Sequence, residues 1–272
     1  MSADSYGDSL TAHTGESSRE REIIAPCSPA TAITIPAMRL YAGTSGFSYD
    51  EWKGSFYPED LPAKERLAYY ATRLTTVEIN NTFYRTPKES VVAGWRAQVT
   101  GDFRFVLKAS QRLTHQKRLK ECGEDLAYAL AVYRAMQERL GPVLFQLPPN
   151  FKKDLARLAG FLELVPPDIR AAFEFRNDSW FGDDVYECLR ARNAALVVSD
   201  VDEAPEPPLV PTADWGYFRL RRTAYAPGAL ASWLTRARAQ PWQEAFVFFK
   251  HEDAGTGPKL AGEFLELAKL PA

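Results

Sequence analysis

The chain is poor in the side chains that most often bind metals or run redox chemistry. Its 272 residues include only three histidines and three cysteines. Cys27, Cys122 and Cys188 are odd in number, far apart and in no CxxC pair, which argues against a zinc ribbon or a disulfide framework. They read as reduced thiols of a cytoplasmic protein. No GxGxxG, GxxxxGKS/T or HExxH motif occurs, so the sharpest signatures of dinucleotide binding, P-loop phosphate binding and zinc proteolysis are missing. No apolar run approaches the roughly 18 residues of a membrane span, so no membrane partner is expected. An excess of one charge is lacking too. Lys and Arg total 33 against 35 for Asp and Glu, which argues against a generic nucleic-acid coat and leaves a local basic site open.

What is present is a regular alternation. Short apolar, β-branched or aromatic runs at 39–42, 77–80, 103–108, 142–146, 171–175, 195–199, 216–220 and 245–249 read as eight strands. Amphipathic segments between them, such as 64–73, 125–140, 153–164 and 229–238, carry apolar residues at helical spacing. Residues 201–211 are Pro-rich and are expected to hold no full helix. Strands alternating with helices imply parallel strands covered by helices, and eight units predict an α/β fold, a single TIM-like (β/α)8 barrel over residues 38–272. A doubly wound open sheet is the alternative. Residues 1–37 are Ser-, Thr-, Ala- and Pro-rich without a helical or strand period, and are expected to form a disordered tail. Met38, directly before the first strand, is expected to be an alternative start of translation; a native mass that includes residues 1–37 would exclude this.

Side chains alternate along a strand, so residues two apart share a face. Stepping back from the last polar residue of each strand gives Thr44–Ala42, Asn80–Glu78–Thr76, Lys108–Val106, Gln146–Leu144, Arg176–Glu174–Ala172, Asp200–Val198, Arg219–Tyr217 and Lys250–Phe248. These columns are mostly apolar or small below and polar at the C-terminal end. They are expected to point into the barrel, with the polar ends forming a ring at its mouth, where TIM barrels hold their sites. The ring sets Glu78, Glu174 and Asp200 against Lys108, Arg176, Arg219 and Lys250. Its one surplus positive charge leans towards an anionic phosphate or carboxylate ligand. His115, after the third strand, is the histidine best placed for acid–base work near neutral pH. His251 has the opposite parity to Lys250 and ranks lower. Tyr84 and Trp180 are candidate stacking walls for a sugar or base.

The motifs Gly43-Thr44-Ser45-Gly46-Phe47-Ser48-Tyr49, Trp52-Lys53-Gly54-Ser55-Phe56-Tyr57-Pro58 and Thr76-Val77-Glu78-Ile79-Asn80-Asn81-Thr82-Phe83-Tyr84 resemble signatures of the YecE-like family, domain of unknown function 72. Gln146-Leu147-Pro148-Pro149, Glu174-Phe175-Arg176 with Ser179-Trp180, and Thr212-Ala213-Asp214 continue the resemblance in order. It implies a TIM-barrel-like fold and supplies no reaction. Two segments depart from the commoner pattern of that family. Arg219-Leu220-Arg221-Arg222 stands where many members resemble R-L-H-G, and Lys250-His251-Glu252-Asp253 stands where many carry paired Asn. Both changes add basic groups near the mouth.

Three readings stay open at this level. In the first, an enzyme acts on a phosphate- or sugar-containing anion. Glu78 or Glu174 would serve as general base and His115 as proton donor, while Lys108, Arg176, Arg219 and Lys250 hold the charge and Thr44, Asn80, Gln146 and Asp200 complete the pocket. Metal-free chemistry ranks above a metal on Glu78, Glu174 and Asp200, because histidines are few and the cations would compete. A two-carboxylate glycosidase is disfavoured, since the same cations would keep both acids ionised. In the second reading the mouth binds nucleic acid, as a non-catalytic or nuclease-like module. In the third, the charges form a structural ion-pair plug. The sequence implies no particular cofactor and sets no oligomeric state.

Overall fold

A computed structural model describes residues 38–202, 204–250 and 254–270. The expected tail, 1–37, lies outside them. Eight parallel strands close in sequence order into one barrel: β1 Arg39–Ser45, β2 Thr76–Ile79, β3 Arg104–Lys108, β4 Leu140–Gln146, β5 Ala171–Glu174, β6 Ala195–Asp200, β7 Trp215–Leu220 and β8 Glu244–Phe249. Strand β8 pairs with β1 through Arg39–Glu244 to Thr44–Phe249, which removes any free sheet edge. Among the described residues seven α-helices cover the strands: α1 Arg66–Ala71, α2 Glu89–Arg96, α3 Gly123–Tyr133, α4 Leu155–Leu164, α5 Asp183–Arg190, α6 Ala229–Arg238 and α7 Thr256–Lys269. Among the described residues the Pro-rich connection from β6 to β7 carries no helix. None of the described helices is long and apolar enough to cross a membrane.

The strands have two buried faces, as a helix-covered parallel sheet requires. Outside, Val77, Phe105, Phe145, Phe173, Phe218 and Phe249 pack beneath the helices. Inside, Tyr41, Val106, Leu144, Ala172, Ala195, Val197, Trp215, Tyr217, Phe246 and Phe248 fill the barrel. Small residues on β5 and β6 make room for large rings on β1, β7 and β8. Tyr41 and Phe246 stack at 4.8 Å. At the N-terminal end the Arg170 guanidinium lies 5.1 Å from the Phe246 ring centre and pairs with Glu244. That end is thus closed by aromatic and ion-pair contacts, leaving the C-terminal strand ends to carry a site.

Two strands have a register one residue away from the expected one. On β1, Tyr41 is inside, so Ala42 and Thr44 face the helices. The Thr44 hydroxyl is buried against the Tyr70 hydroxyl (2.9 Å) and donates to the Gly46 carbonyl (2.6 Å). Tyr70 also takes the Thr44 amide and donates to the Thr76 carbonyl, tying β1 to β2. On β6, Ala195 and Val197 are inside, so Val198 and Asp200 face out. A one-residue slip exchanges faces, and the last polar residue failed as a guide because a buried outward polar group is tolerated once it is hydrogen-bonded. One helix also ends early. The segment expected to run from 125 to 140 leaves α-helical geometry after Tyr133 and tightens into a 3-10 turn, with Gln137 at φ 52° just before β4.

Candidate active site at the barrel mouth

Glu78 on β2, Glu174 on β5, and Tyr217 and Arg219 on β7 meet inside the upper barrel. Arg219 spans the two acids, donating from NH2 to Glu78 Oε1 (2.8 Å) and from NH1 to Glu174 Oε2 (2.6 Å). Glu78 accepts three further hydrogen bonds, from Ser45 Oγ (2.9 Å), Asn80 Nδ2 (3.1 Å) and the Tyr217 hydroxyl (2.6 Å). Glu78, Glu174 and Arg219 are 0%, 2% and 1% exposed, so this triad is a sealed floor. Burial alone would raise the Glu78 pKa. The Arg219 charge, with hydrogen bonds from Tyr217 and Arg219, overcomes that and holds the acid below its ordinary value. At Glu174 burial is likewise outweighed by Arg219, Arg176 and the Gln146 amide, and the carboxyl titrates at about 2. Both acids are therefore ionised at neutral pH. Glu78 takes four donors, three of them on Oε1 and the Tyr217 hydroxyl on Oε2.

Above the floor stands a rim of cations. Lys108 Nζ donates to Gln146 Oε1 at 2.9 Å and lies 4.2 Å from the centre of the Phe83 ring. It makes no ion pair among the described residues, because Arg219 has taken both acids. Burial is the main force on the Lys108 pKa and the Arg219 charge the next, pushing it down to about 8. Arg176, 45% exposed, contacts Glu174 Oε1 through Nε at 3.4 Å. Arg221 is half-buried in the same field; burial and then Arg219 lower its pKa. Gln146 Nε2 favours the ionised form of Glu174, yet it is buried and reaches bonding geometry with no described atom. Two carboxylates thus sit among four cations, Arg219, Lys108, Arg176 and Arg221.

His115 lies in a single π-turn, Arg112–Gln116, after β3. Its ring meets Phe83 edge-on at 4.9 Å, and Lys108 Nζ lies over that same Phe83 ring. The Thr114 hydroxyl is 2.9 Å from Nδ1. Burial, then the Lys108 and Arg176 charges, lower the His115 pKa below its ordinary 6.5, so the imidazole is neutral at pH 7. A neutral imidazole has one nitrogen free to accept a proton and one N–H to donate.

Glu78, Asn80, Lys108, Gln146, Glu174, Arg176 and Arg219 are brought together with His115 on their margin. Thr44, Asp200 and Trp180 are not. Thr44 is turned to the helices and bound to Tyr70. Asp200 faces out and accepts from Arg222 Nε at 2.6 Å. Trp180 is fully buried, stacked on Phe175 at 4.7 Å, with its indole N–H given to the Phe151 carbonyl. No face of it is left for a ligand. Tyr84 is 72% exposed, edge-on to Phe83 and beside the mouth. Lys250 is half-buried after β8 and acts electrostatically on Asp202, after the hydrogen bonds from Thr223. His251 lies outside the described residues. Ser45, Tyr217 and Arg221 also join this cluster; none was among the expected site residues, although Tyr217 stood in the inward column below Arg219 and Arg221 among the basic groups added near the mouth. Arg221 was findable by stepping two further along the parity of Tyr217 and Arg219. Among the described residues no group of three or more His, Cys, Asp or Glu side chains is placed to hold a metal ion.

The chain was compared with known proteins. A profile described as "Protein of unknown function DUF72" matches residues 41–272. The UPF0759 protein YecE of Escherichia coli K12 is 34% identical over 116 residues, 42% of this chain and 43% of that protein. The UPF0759 protein YunF of Bacillus subtilis is 29% identical over 157 residues, 54% of each chain. The chain therefore spans about half the length of the curated relatives it matches. A crystal structure of a DUF72 family protein from Thermotoga maritima superposes with a TM-score of 0.73 at 28% identity, covering 85% of this chain and 100% of that one. Another, from Enterococcus faecalis, gives 0.67 at 21% identity over 86% and 99% of the two chains and is similar in fold. With the profile covering nearly all of the described barrel, the chain belongs to the DUF72 family.

Proposed function

We propose that the barrel mouth binds a small anion carrying a phosphate or carboxylate group and acts on it by acid–base chemistry. The observation that carries this reading is the division of charge. Both buried acids pair with Arg219, so among the described residues Lys108 and Arg221 make no ion pair and Arg176 has only a long contact to Glu174. Crowding cations this closely is costly unless an anion joins them. Gln146 Nε2 adds a buried donor that reaches bonding geometry with no atom of the described residues. In this arrangement Glu78 and Glu174 orient Arg219. Lys108, Arg176 and Arg221 hold the anion through charge-assisted hydrogen bonds. His115, kept neutral by the same cations, takes the proton.

Calorimetric titration with sulfate and with phosphate tests the reading. Arg176→Ala and Lys108→Ala should each weaken binding about 10-fold or more, the roughly 1.5–3 kcal/mol of a hydrogen bond to a charged group. No binding of either anion, or binding indifferent to both substitutions, rejects it. A second reading, binding of a nucleotide or nucleic acid, is favoured by the groove beside the mouth. Tyr84 and Tyr128, 72% and 62% exposed, line a cavity of about 410 Å³ together with Arg85 and Arg112. Single-stranded DNA or RNA would then bind with a steep salt dependence that Tyr84→Ala and Arg112→Ala relieve.

A further inference from the structure

We propose that the anion taken by this site also carries a ketone or aldehyde, and that Lys108 captures it as an imine. The inference rests on the anion-binding reading and adds a covalent step to it. The geometry supplies three requirements. First, the amine makes no ion pair among the described residues: its contacts are a neutral amide oxygen and an aromatic face, and burial outweighs the through-space pull of Glu78 and Glu174 on the ammonium. Second, it is half-buried at the end of β3 and flanked by Arg219 and Arg176, so a ligand anchored on the rim presents its adjacent carbon to Nζ. Third, His115, held neutral by burial and then by the Lys108 charge, packs edge-on against the same Phe83 ring that Lys108 Nζ covers. A charged rim alone could have been built from arginines. A lysine here adds the one group that both binds anions and, when neutral, attacks carbonyls.

The step needs no oxidant or reductant. The Lys108 lone pair adds to the carbonyl carbon, and the carbonyl oxygen takes up a proton to give a carbinolamine. That oxygen then leaves as water, carrying the proton lost from nitrogen, and a C=N bond replaces C=O. One amine and one carbonyl yield one imine and one water.

The probe is glycolaldehyde phosphate with cyanoborohydride at about pH 7.5, which reduces an imine to a stable amine read by peptide mapping. A lysine titrating at about 8 has roughly 200 times more free amine at that pH than one at 10.5. Lys108 should therefore be labelled at least 10-fold faster than exposed Lys259 and Lys269. Sulfate should slow labelling, and uncharged glycolaldehyde should label Lys108 more slowly than glycolaldehyde phosphate does. Lys108→Arg keeps the charge, so it should still bind sulfate and lose the adduct. Sulfate binding without preferential labelling of Lys108 overturns the imine and leaves the anion site standing. Absence of sulfate binding overturns the anion site, and with it this inference. Labelling of Lys108 that sulfate does not slow also overturns it, because the aldehyde is then not delivered by the anion site.

Discussion

Replacing Arg219 by Met tests the floor of the site most directly. The wild-type Glu174 carboxyl is moved from 4.5 to about 2. This corresponds to roughly 3 kcal/mol of favourable interaction, at about 1.4 kcal/mol per pH unit. Because the folded pKa is lowered, that contribution is fully present above about 4.5 and is lost as pH falls towards 2. Removing the guanidinium leaves two buried acids facing each other, and breaking a buried pair in this way costs about 3–5 kcal/mol. In the variant burial dominates, so both carboxyls titrate above their ordinary value and take up protons on acidification. Their folded pKa is then raised, so the variant's penalty is largest at neutral pH and shrinks as pH falls. Urea unfolding followed by tryptophan fluorescence at about pH 7.5 and about pH 5 reads both terms. We expect a gap from wild type of about 3–5 kcal/mol at the higher pH, and a loss of roughly 10 °C in Tm for a chain of this size. At the lower pH the gap should be clearly smaller. Adding Glu78→Gln and Glu174→Gln should recover much of the loss, since no uncompensated charge remains buried. A gap independent of pH, or below about 1 kcal/mol, would refute the reasoning, because neither outcome fits two sealed carboxylates sharing one cation.

Two other outcomes are expected. Sulfate keeps its charge between pH 7 and 9, whereas Lys108 loses its own as pH rises through about 8; sulfate affinity should fall about 10-fold over that range in wild type and stay level in Lys108→Arg. An equal fall in both would assign the dependence to another group. Trp180→Phe removes the indole donor from the buried Phe151 carbonyl and should cost about 1–3 kcal/mol in urea unfolding, with sulfate affinity unchanged; weakened sulfate binding would return Trp180 to the site.

The barrel itself was legible because a parallel, helix-covered sheet buries both faces of its strands, and such strands read as nearly continuous apolar runs. The inward parity of β2, β3, β4, β5, β7 and β8 was legible for a related reason. A charged residue such as Glu78, Glu174 or Arg219, set within or at the end of such a run, cannot point under a helix without a partner, so it points to the mouth. On β1 and β6 the same rule gave no answer. Thr44 and Ser45 are adjacent and both polar, as are Ser199 and Asp200, and either member of each pair can be satisfied on either face. Only the arrival of Tyr70 from α1 and of Arg222 from the end of β7 decides which turns outward. Trp180 shows the converse, since its place after a site strand suggested the mouth while its burial against Phe175 removes it.

By itself the sequence determined the eight-stranded alternation, the face of most strands and the collection of opposite charges at one end, because each follows from local period and from the cost of burying charge. Which cation takes the acids was decided only by tertiary structure. Glu78 and Glu174 stand three strands apart, and no spacing in the chain says that Arg219 alone reaches both. That distance across the barrel seals three charges as a floor, and it leaves Lys108 and Arg221 without an ion pair among the described residues.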